Sequence, residues 1–296
     1  MITIAYINFW KDQHNDRYFT KFIESNIGKV REISPHNNPD ILIASIGGHI
    51  NNVRNIKAKC KIFYYGENLN RGCYSYYNND KMLYDTFDFI VGSKKTDLSK
   101  KQIRFPIWLI YYPYYNYNET DNILTYIQNK YNENIKKDKD IFATIVARHD
   151  RGGQRTKIWN ELSIYGNIKS PGTYKNNTQP IGNSQKDKIN YISRGIYNIC
   201  PENSSYEGYF TEKIFQAFEG GTIPLYWAID FPEPEIINRN KYCFCDVNNK
   251  MSLEKSIENV CKNPNEYIEG ELFTKSAGKH IQLFYSTMVK NILLHI

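Results

Sequence analysis

The chain has 296 residues, 41% hydrophobic and 23% charged, ordinary values for a folded protein. They exclude dominant disorder and leave room for one large or two medium domains, each burying its own core. The formal charge of +7 (38 basic against 31 acidic residues) would suit nucleic acid, anionic lipid or phosphorylated substrates. No basic run of five or six residues and no nucleic-acid motif occurs, so nucleic acid is not expected as a partner.

Short apolar, β-branched runs predict strands near 1–7, 41–46, 61–65 and 87–91. Gly47-Gly48, Gly66 and Gly92 follow the last three, as expected where strands end in turns. Between the first two, Tyr18, Phe19, Phe22 and Ile23 recur at helical spacing and predict a helix with one apolar face. The pattern pauses over 111–140, which reads as a Tyr-rich loop, a short helix over 122–131 and the charged tract Lys136-Lys137-Asp138-Lys139-Asp140. A second series of strands is predicted at 141–147, 196–200, 222–226 and 242–246. This alternation predicts an α/β fold with parallel sheets. The expected division is a domain over 1–120, a linker over 121–140 and a second domain over 141–296.

Aromatic residues make up 15% of the chain, with 25 tyrosines. Because Lys, Asn and Ile are abundant too, a genome rich in A and T explains this more simply than sugar-stacking surfaces do. The six cysteines form no C-x-x-C pair, so free thiols are expected rather than a zinc site. No signal-peptide pattern opens the chain, and no apolar run approaches the ~20 residues of a membrane helix. The expectation is a cytoplasmic protein, with at most a weak peripheral contact at the inner membrane face.

Ligands of parallel α/β sheets bind outside the carboxyl ends of strands. That rule singles out Gly66-Glu67-Asn68, the stretch Arg148 to Arg155, and Pro201-Glu202-Asn203. After the third of these, Thr211-Glu212-Lys213-Ile214-Phe215-Gln216-Ala217-Phe218-Glu219 predicts a helix stopped by Gly220-Gly221. A helix N-terminus carries free N–H groups and partial positive charge, and Lys213 adds a full charge in the first turn. Such a unit could hold a diphosphate, with Glu212 accepting from ribose hydroxyls. Spacing alone leaves a plain strand–loop–helix, with Lys213 solvated, equally open.

The stretch from Glu202-Asn203-Ser204-Ser205 through Tyr209-Phe210-Thr211-Glu212-Lys213 to Gly221-Thr222-Ile223-Pro224 resembles the signature of the family 10 glycosyltransferases. These are the α-1,3/1,4-fucosyltransferases, whose pattern runs F-E-N-S/T, Y-V-T-E-K, then G-x-V/I-P. Phe9-Trp10 ahead of Asn15-Asp16-Arg17-Tyr18-Phe19, Phe63-Tyr64-Tyr65-Gly66-Glu67-Asn68, and Arg155 in Gly-Gly-Gln-Arg-Thr-Lys are similar to further family stretches. The resemblance implies a GT-B fold, two Rossmann-like domains facing across a cleft, with the acceptor on the first and the nucleotide on the second. It implies an inverting fucosyltransferase using GDP-fucose as co-substrate, with no tightly bound cofactor and no required metal, acting on a polysaccharide or lipopolysaccharide precursor. Glu67 is then the base, while Arg155, Asn203, Tyr209, Glu212 and Lys213 bind the donor.

Pro201 stands where the family has a bulky apolar residue, and Phe210 replaces its valine. Transfer of another GDP-linked sugar, or a non-catalytic glycan-binding module, are the alternatives. Asp138-Lys139-Asp140 spells the D-x-D of metal-dependent glycosyltransferases, but it precedes a strand in a lysine-rich tract and reads as a solvated charge cluster.

Overall fold

The computed structural model of the protein describes residues 1–9, 17–77 and 79–296. Trp10, Asn15 and Asp16 of the N-terminal stretch lie outside the described residues. The chain divides into two compact units. The first comprises Met1–Asn122, Tyr206–Tyr209 and Gly278–Ile296, and the second Ile123–Ser205 and Phe210–Ala277.

The first unit holds a six-stranded sheet: β1 (Ile2–Ile7), β2 (Val30–Glu32), β3 (Ile41–Ala44), β4 (Cys60–Tyr64), β5 (Phe89–Gly92) and β6 (Gln102–Arg104), in the order β2-β1-β3-β4-β5-β6. Every pairing is parallel. All residues of β3 and β5 are buried, which accounts for their unbroken apolar runs: a parallel strand packed on both faces has no polar side. Among the helices are α1 (Tyr18–Asn26), α2 (Asn51–Arg54) and α3 (Asp80–Thr86). The four apolar residues that predicted α1 are its buried face. At the start of β3, Asp40 accepts from the amide and hydroxyl of Thr3, both at 2.7 Å, tying β3 to β1. A C-terminal helix, Ala277–Leu293, completes this unit. Its Tyr285 lies among Phe22 and Phe105, with its hydroxyl 2.7 Å from that of Tyr18.

The second unit holds β7 (Ile141–Thr144), β8 (Ile168–Lys169), β9 (Gly195–Ile199), β10 (Ile223–Tyr226) and β11 (Cys243–Phe244), in the order β11-β10-β9-β7-β8 and again all parallel. Its helices are α4 (Asp121–Asn134), α5 (Gln154–Leu162), α6 (Gln185–Ile192), α7 (Glu212–Glu219), α8 (Lys250–Lys262) and α9 (Asn265–Ile268).

Two segments differ from the expected division. Residues 121–140 are not a bare connection: α4 buries Ile123, Ile127, Tyr131 and Asn134, and Asn134 Nδ2 donates to the carbonyl of Glu219 at 2.6 Å. Residues 278–296 group with the first unit rather than with 141–277, because an apolar helical face does not state which sheet it will cover. Edge strands β2, β6 and β8 escaped the sequence pattern because they have two or three residues each, too few for a period to register. The abundant aromatics go largely into the interior: Tyr64, Tyr65, Tyr77, Tyr112, Tyr226, Tyr242 and Tyr285 are all fully buried.

The D-x-D tract has a structural use. Lys139 Nζ donates to the carbonyls of Asn134 (3.0 Å), Ser193 (2.8 Å), Gly220 (3.4 Å) and Gly221 (2.9 Å). These oxygens sit at the carboxyl ends of α4, α6 and α7, where helix dipoles concentrate negative charge. Asp140 is paired with Arg194. Replacing Lys139 with Met should therefore cost about 2–3 kcal/mol of unfolding free energy, as loss of charge-assisted hydrogen bonds does. Replacing the exposed Asp138 with Ala should cost less than about 0.5 kcal/mol. Urea unfolding of the two variants checks this, and equal, small effects would dismiss the clasp.

Candidate functional site

In the second unit the loop after β9 turns on one carboxylate. Glu202 is fully buried and accepts from the Thr211 amide (2.8 Å), the Thr211 hydroxyl (2.9 Å), Lys213 Nζ (2.9 Å) and the Tyr226 hydroxyl (2.7 Å). A buried carboxylate is tolerated only when so completely paired. The Thr211 amide lies at the N-terminus of α7, and the Thr211 side chain makes no capping bond of its own. The first amide of the helix end that the sequence offered to a ligand phosphate is thus met by an internal anion. Burial and the neighbouring Glu202 together push the Tyr226 phenol well above its ordinary range.

Lys213 is not the solvated lysine of a plain surface helix, for its side chain is only 15% exposed. Burial opposes its charge, but the Glu202 and Glu212 carboxylates outweigh that and raise the ammonium above the usual lysine range. Burial likewise opposes the charge on Glu212, yet Lys213 and Lys188 hold its carboxyl below the usual range. The two neighbouring side chains of α7 therefore stay ionised and of opposite sign.

Arg155 opens α5 and is 7% exposed, so it is no ordinary surface arginine. Gly153, in the left-handed region at φ +76°, ends the preceding loop at a turn that favours glycine. Asp150 caps the helix, accepting from the amides of Arg155 (3.2 Å) and Thr156 (2.7 Å). The guanidinium then donates to the His149 carbonyl (2.9 Å) and to Asn203 Oδ1 (2.8 Å). It thereby joins the loop after β7 to the loop after β9. Arg155, Asn203, Glu212 and Lys213 all belong to this unit.

Tyr209 is grouped with the other unit. Residues 206–209 belong to the first unit, and the Tyr209 hydroxyl donates to Glu67 Oε2 at 3.0 Å. Arg71 Nη1 lies 3.5 Å from the same oxygen. Glu67 follows β4 in a turn where Asn68 Oδ1 accepts from the Asn70 amide at 2.8 Å, and its side chain is 26% exposed. The 206–209 segment is seated by Ser93, whose hydroxyl donates to the Glu207 carbonyl at 3.0 Å. Gly208, at φ +64°, has the Ser93 carbonyl 2.2 Å from where a Cβ would stand, so no side chain fits there.

Sequence reasoning missed Glu202 as the organising residue. Its place in the family stretch and after an apolar strand marked the position, but nothing local told a buried anchor from a turn residue. It also missed Lys188, which no motif or spacing marked. Among the described residues no group of three or more His, Cys, Asp or Glu could hold a metal ion, and no helix is long and apolar enough to cross a membrane.

Two family models match in order along the chain. That of the alpha-(1,3)-fucosyltransferase FucT N-terminal domain covers residues 4–111, and that of glycosyltransferase family 10 (fucosyltransferase) C-term covers 135–273. A curated relative, the alpha-(1,3)-fucosyltransferase of Helicobacter pylori, is 22% identical over 98% of this chain, which spans 66% of that protein's length. Among solved structures, an alpha1,3-fucosyltransferase shares the fold with a TM-score of 0.67 at 20% identity, covering 98% of this chain and 90% of that one. An alpha1,3-fucosyltransferase crystallised with GDP-fucose gives 0.64 at 20% identity and the same coverage. A sucrose-phosphate synthase from Thermosynechococcus elongatus gives 0.56 at 10% identity, covering 99% and 97%. The two parallel-sheet units are thus those of the GT-B fold.

The geometry around Glu202 sets a sharp expectation. Exchanging it for Gln keeps the shape but removes the carboxylate bonded directly to Lys213, so stability should fall by about 3–5 kcal/mol. Tyr226→Phe removes one hydrogen bond and should cost about 1–2 kcal/mol. Chemical denaturation measures both. A Glu202→Gln variant as stable as the parent would show that the carboxylate does not hold the loop.

Proposed function

The chain belongs to glycosyltransferase family 10, the fucosyltransferase family, and we propose that it transfers fucose from GDP-fucose to a glycan hydroxyl with inversion at the anomeric carbon. The observation that carries this reading is the family stretch Glu202–Lys213. It lies inside the family match and is built around a buried carboxylate, with Arg155 reaching Asn203. In the reaction the acceptor oxygen attacks the anomeric carbon, the bond to the diphosphate breaks, and the acceptor proton passes to a base. Arg155 and Lys213 counter the charge growing on the departing GDP, an electrostatic role that gains strength where water is excluded. Glu212 accepts from the ribose hydroxyls, and Asn203, held by Arg155, lines the nucleotide sugar.

Glu67 is the proposed base. Its contacts with Tyr209 and Arg71 both fall on Oε2, which leaves Oε1 to take the proton. Tyr209 is better assigned to orienting this carboxylate than to binding the donor. The acceptor glycan is proposed to occupy a pocket of about 450 Å³ in the first unit, lined by Tyr65, Tyr84, Lys94, Gln102 and Tyr206 among others. Aromatic faces beside hydrogen-bonding groups suit sugar rings. Lys94 Nζ lies 5.7 Å from the Tyr206 ring centroid. The bacterial source of the curated relative favours a polysaccharide or lipopolysaccharide precursor as acceptor. The proposed site of action is the cytoplasm, where a net charge of +7 would add weak attraction to anionic lipid surfaces.

Glu67→Ala should lower transfer by at least about 100-fold, the scale of a positioned base, while GDP binding is retained. Arg155→Ala should chiefly weaken donor use. It is a cleaner probe than removal of Lys213, which would strand the Glu202 carboxylate. Steady-state kinetics with GDP-fucose, and with other GDP-, UDP- and CMP-sugars, test the assignment. Binding of no nucleotide would leave a glycan-binding module, and turnover of another GDP-sugar alone would replace fucose.

For the acceptor pocket, Tyr206→Ala should raise the KM for the glycan and leave that for GDP-fucose unchanged. A change confined to the donor KM would move the acceptor elsewhere.

A further inference from the structure

At the carboxyl end of β9 lies a cavity of about 30 Å³, lined among others by Arg155, Lys188, Lys213, Asn198 and Pro201. It has room for one or two oxygen atoms and not for a nucleotide. Three cations therefore border a space the size of a phosphate oxygen. Two of them were expected from the family stretch. The third, Lys188, comes from α6 and from no recognised motif.

The partners of these cations differ. Lys213 is neutralised by the Glu202 carboxylate at 2.9 Å. Arg155 donates to the neutral Asn203 and to a backbone carbonyl. Lys188 Nζ donates to Gln216 Oε1 at 2.6 Å, a neutral amide on a residue only 3% exposed. Burial pushes the Lys188 ammonium below its ordinary range, with Glu212 the foremost opposing charge. Arg155, Lys188 and Lys213 thus bring three cationic side chains to the walls of one small cavity. Keeping a half-buried ammonium on a neutral partner is costly unless an anion completes its shell.

We propose that Lys188 is a third cationic ligand of the nucleotide diphosphate, and that one phosphate oxygen enters the small cavity between it, Arg155 and Lys213. This rests on the donor-binding reading given above. In it Gln216 is the positioning residue, holding the Lys188 ammonium toward the cavity from α7. The bland alternative is that Lys188 only ties α6 to α7 through Gln216. A tie would matter equally for any ligand of this unit, whereas a diphosphate ligand would not.

Equilibrium titration of the full chain with GDP and with guanosine separates the two. Lys188→Met should weaken GDP by about ten-fold or more, the worth of one charge-assisted hydrogen bond, and should lower the ratio of GDP to guanosine affinity equally. Lys188→Arg, which keeps the charge, should recover most of the GDP affinity. Should the Met variant fail to fold, Lys188→Gln, which can still bond Gln216, gives the same reading. Unchanged GDP affinity, or an equal loss for GDP and guanosine, overturns the assignment. A parent chain that binds no GDP overturns the donor reading itself and this inference with it.

Discussion

One buried carboxylate sets the order of the second unit's ligand loop. Glu202 leaves β9, is cut off from water, and gathers an amide, two hydroxyls and an ammonium around it. Each of those donors belongs to a different constraint. The Thr211 amide starts α7, Tyr226 ends β10, and Lys213 carries the charge proposed for the donor. The loop cannot shift without breaking several bonds to a buried charge at once, which is far costlier than bending a solvated turn. Arg155 adds a second tether through Asn203, the next residue in the chain. A diphosphate would therefore meet cations whose positions are fixed before it arrives, the arrangement that electrostatic stabilisation of a leaving group requires.

The same constraint changes what the α7 N-terminus can do. A helix end with free amides attracts anions, but here the first such amide is taken by Glu202. Beside the helix end stands side-chain charge: Lys213, shared with Glu202, together with Arg155 and Lys188. This explains how an acidic residue can sit in the middle of a region proposed to hold an anion. Glu202 fixes Lys213 in place and cancels only part of the local charge, and Glu212 is kept ionised by the cations it faces.

Much of the fold was legible because both sheets are parallel and their central strands are packed on two faces. Ile41–Ala44 and Ile223–Tyr226 announce themselves as unbroken apolar runs. Legibility failed where the signal is not local. Edge strands such as Val30–Glu32 have too few residues for a period, and the C-terminal helix shows an apolar face without naming its sheet. The strand-end rule pointed to the loops and helix that carry Glu67, Arg155, Asn203, Glu212 and Lys213, but a role for each rested on resemblance, since spacing gave each an ordinary alternative. Arg155 illustrates why: its low exposure follows from His149 and Asn203, and Asn203 is 48 residues away in the chain. Lys188 is hidden for the same reason, because its meeting with Gln216 spans 28 residues and two helices.

Tyr209 shows how a motif can serve two places at once. The family stretch is continuous in sequence, so all of its polar residues read as one donor site. Four residues within it, Tyr206–Tyr209, belong to the first unit. Gly208 permits this, because a side chain at φ +64° would collide with the Ser93 carbonyl on which the segment is seated. The result is that Tyr209 holds Glu67, while Tyr206 lines the pocket proposed for the acceptor. The proposed base orientation and acceptor placement thus both depend on one tight turn, which sits between Glu202 and Lys213 in the chain. A substitution at Gly208 would strike the chemistry proposed for the first unit although it lies inside the family stretch that otherwise belongs to the second.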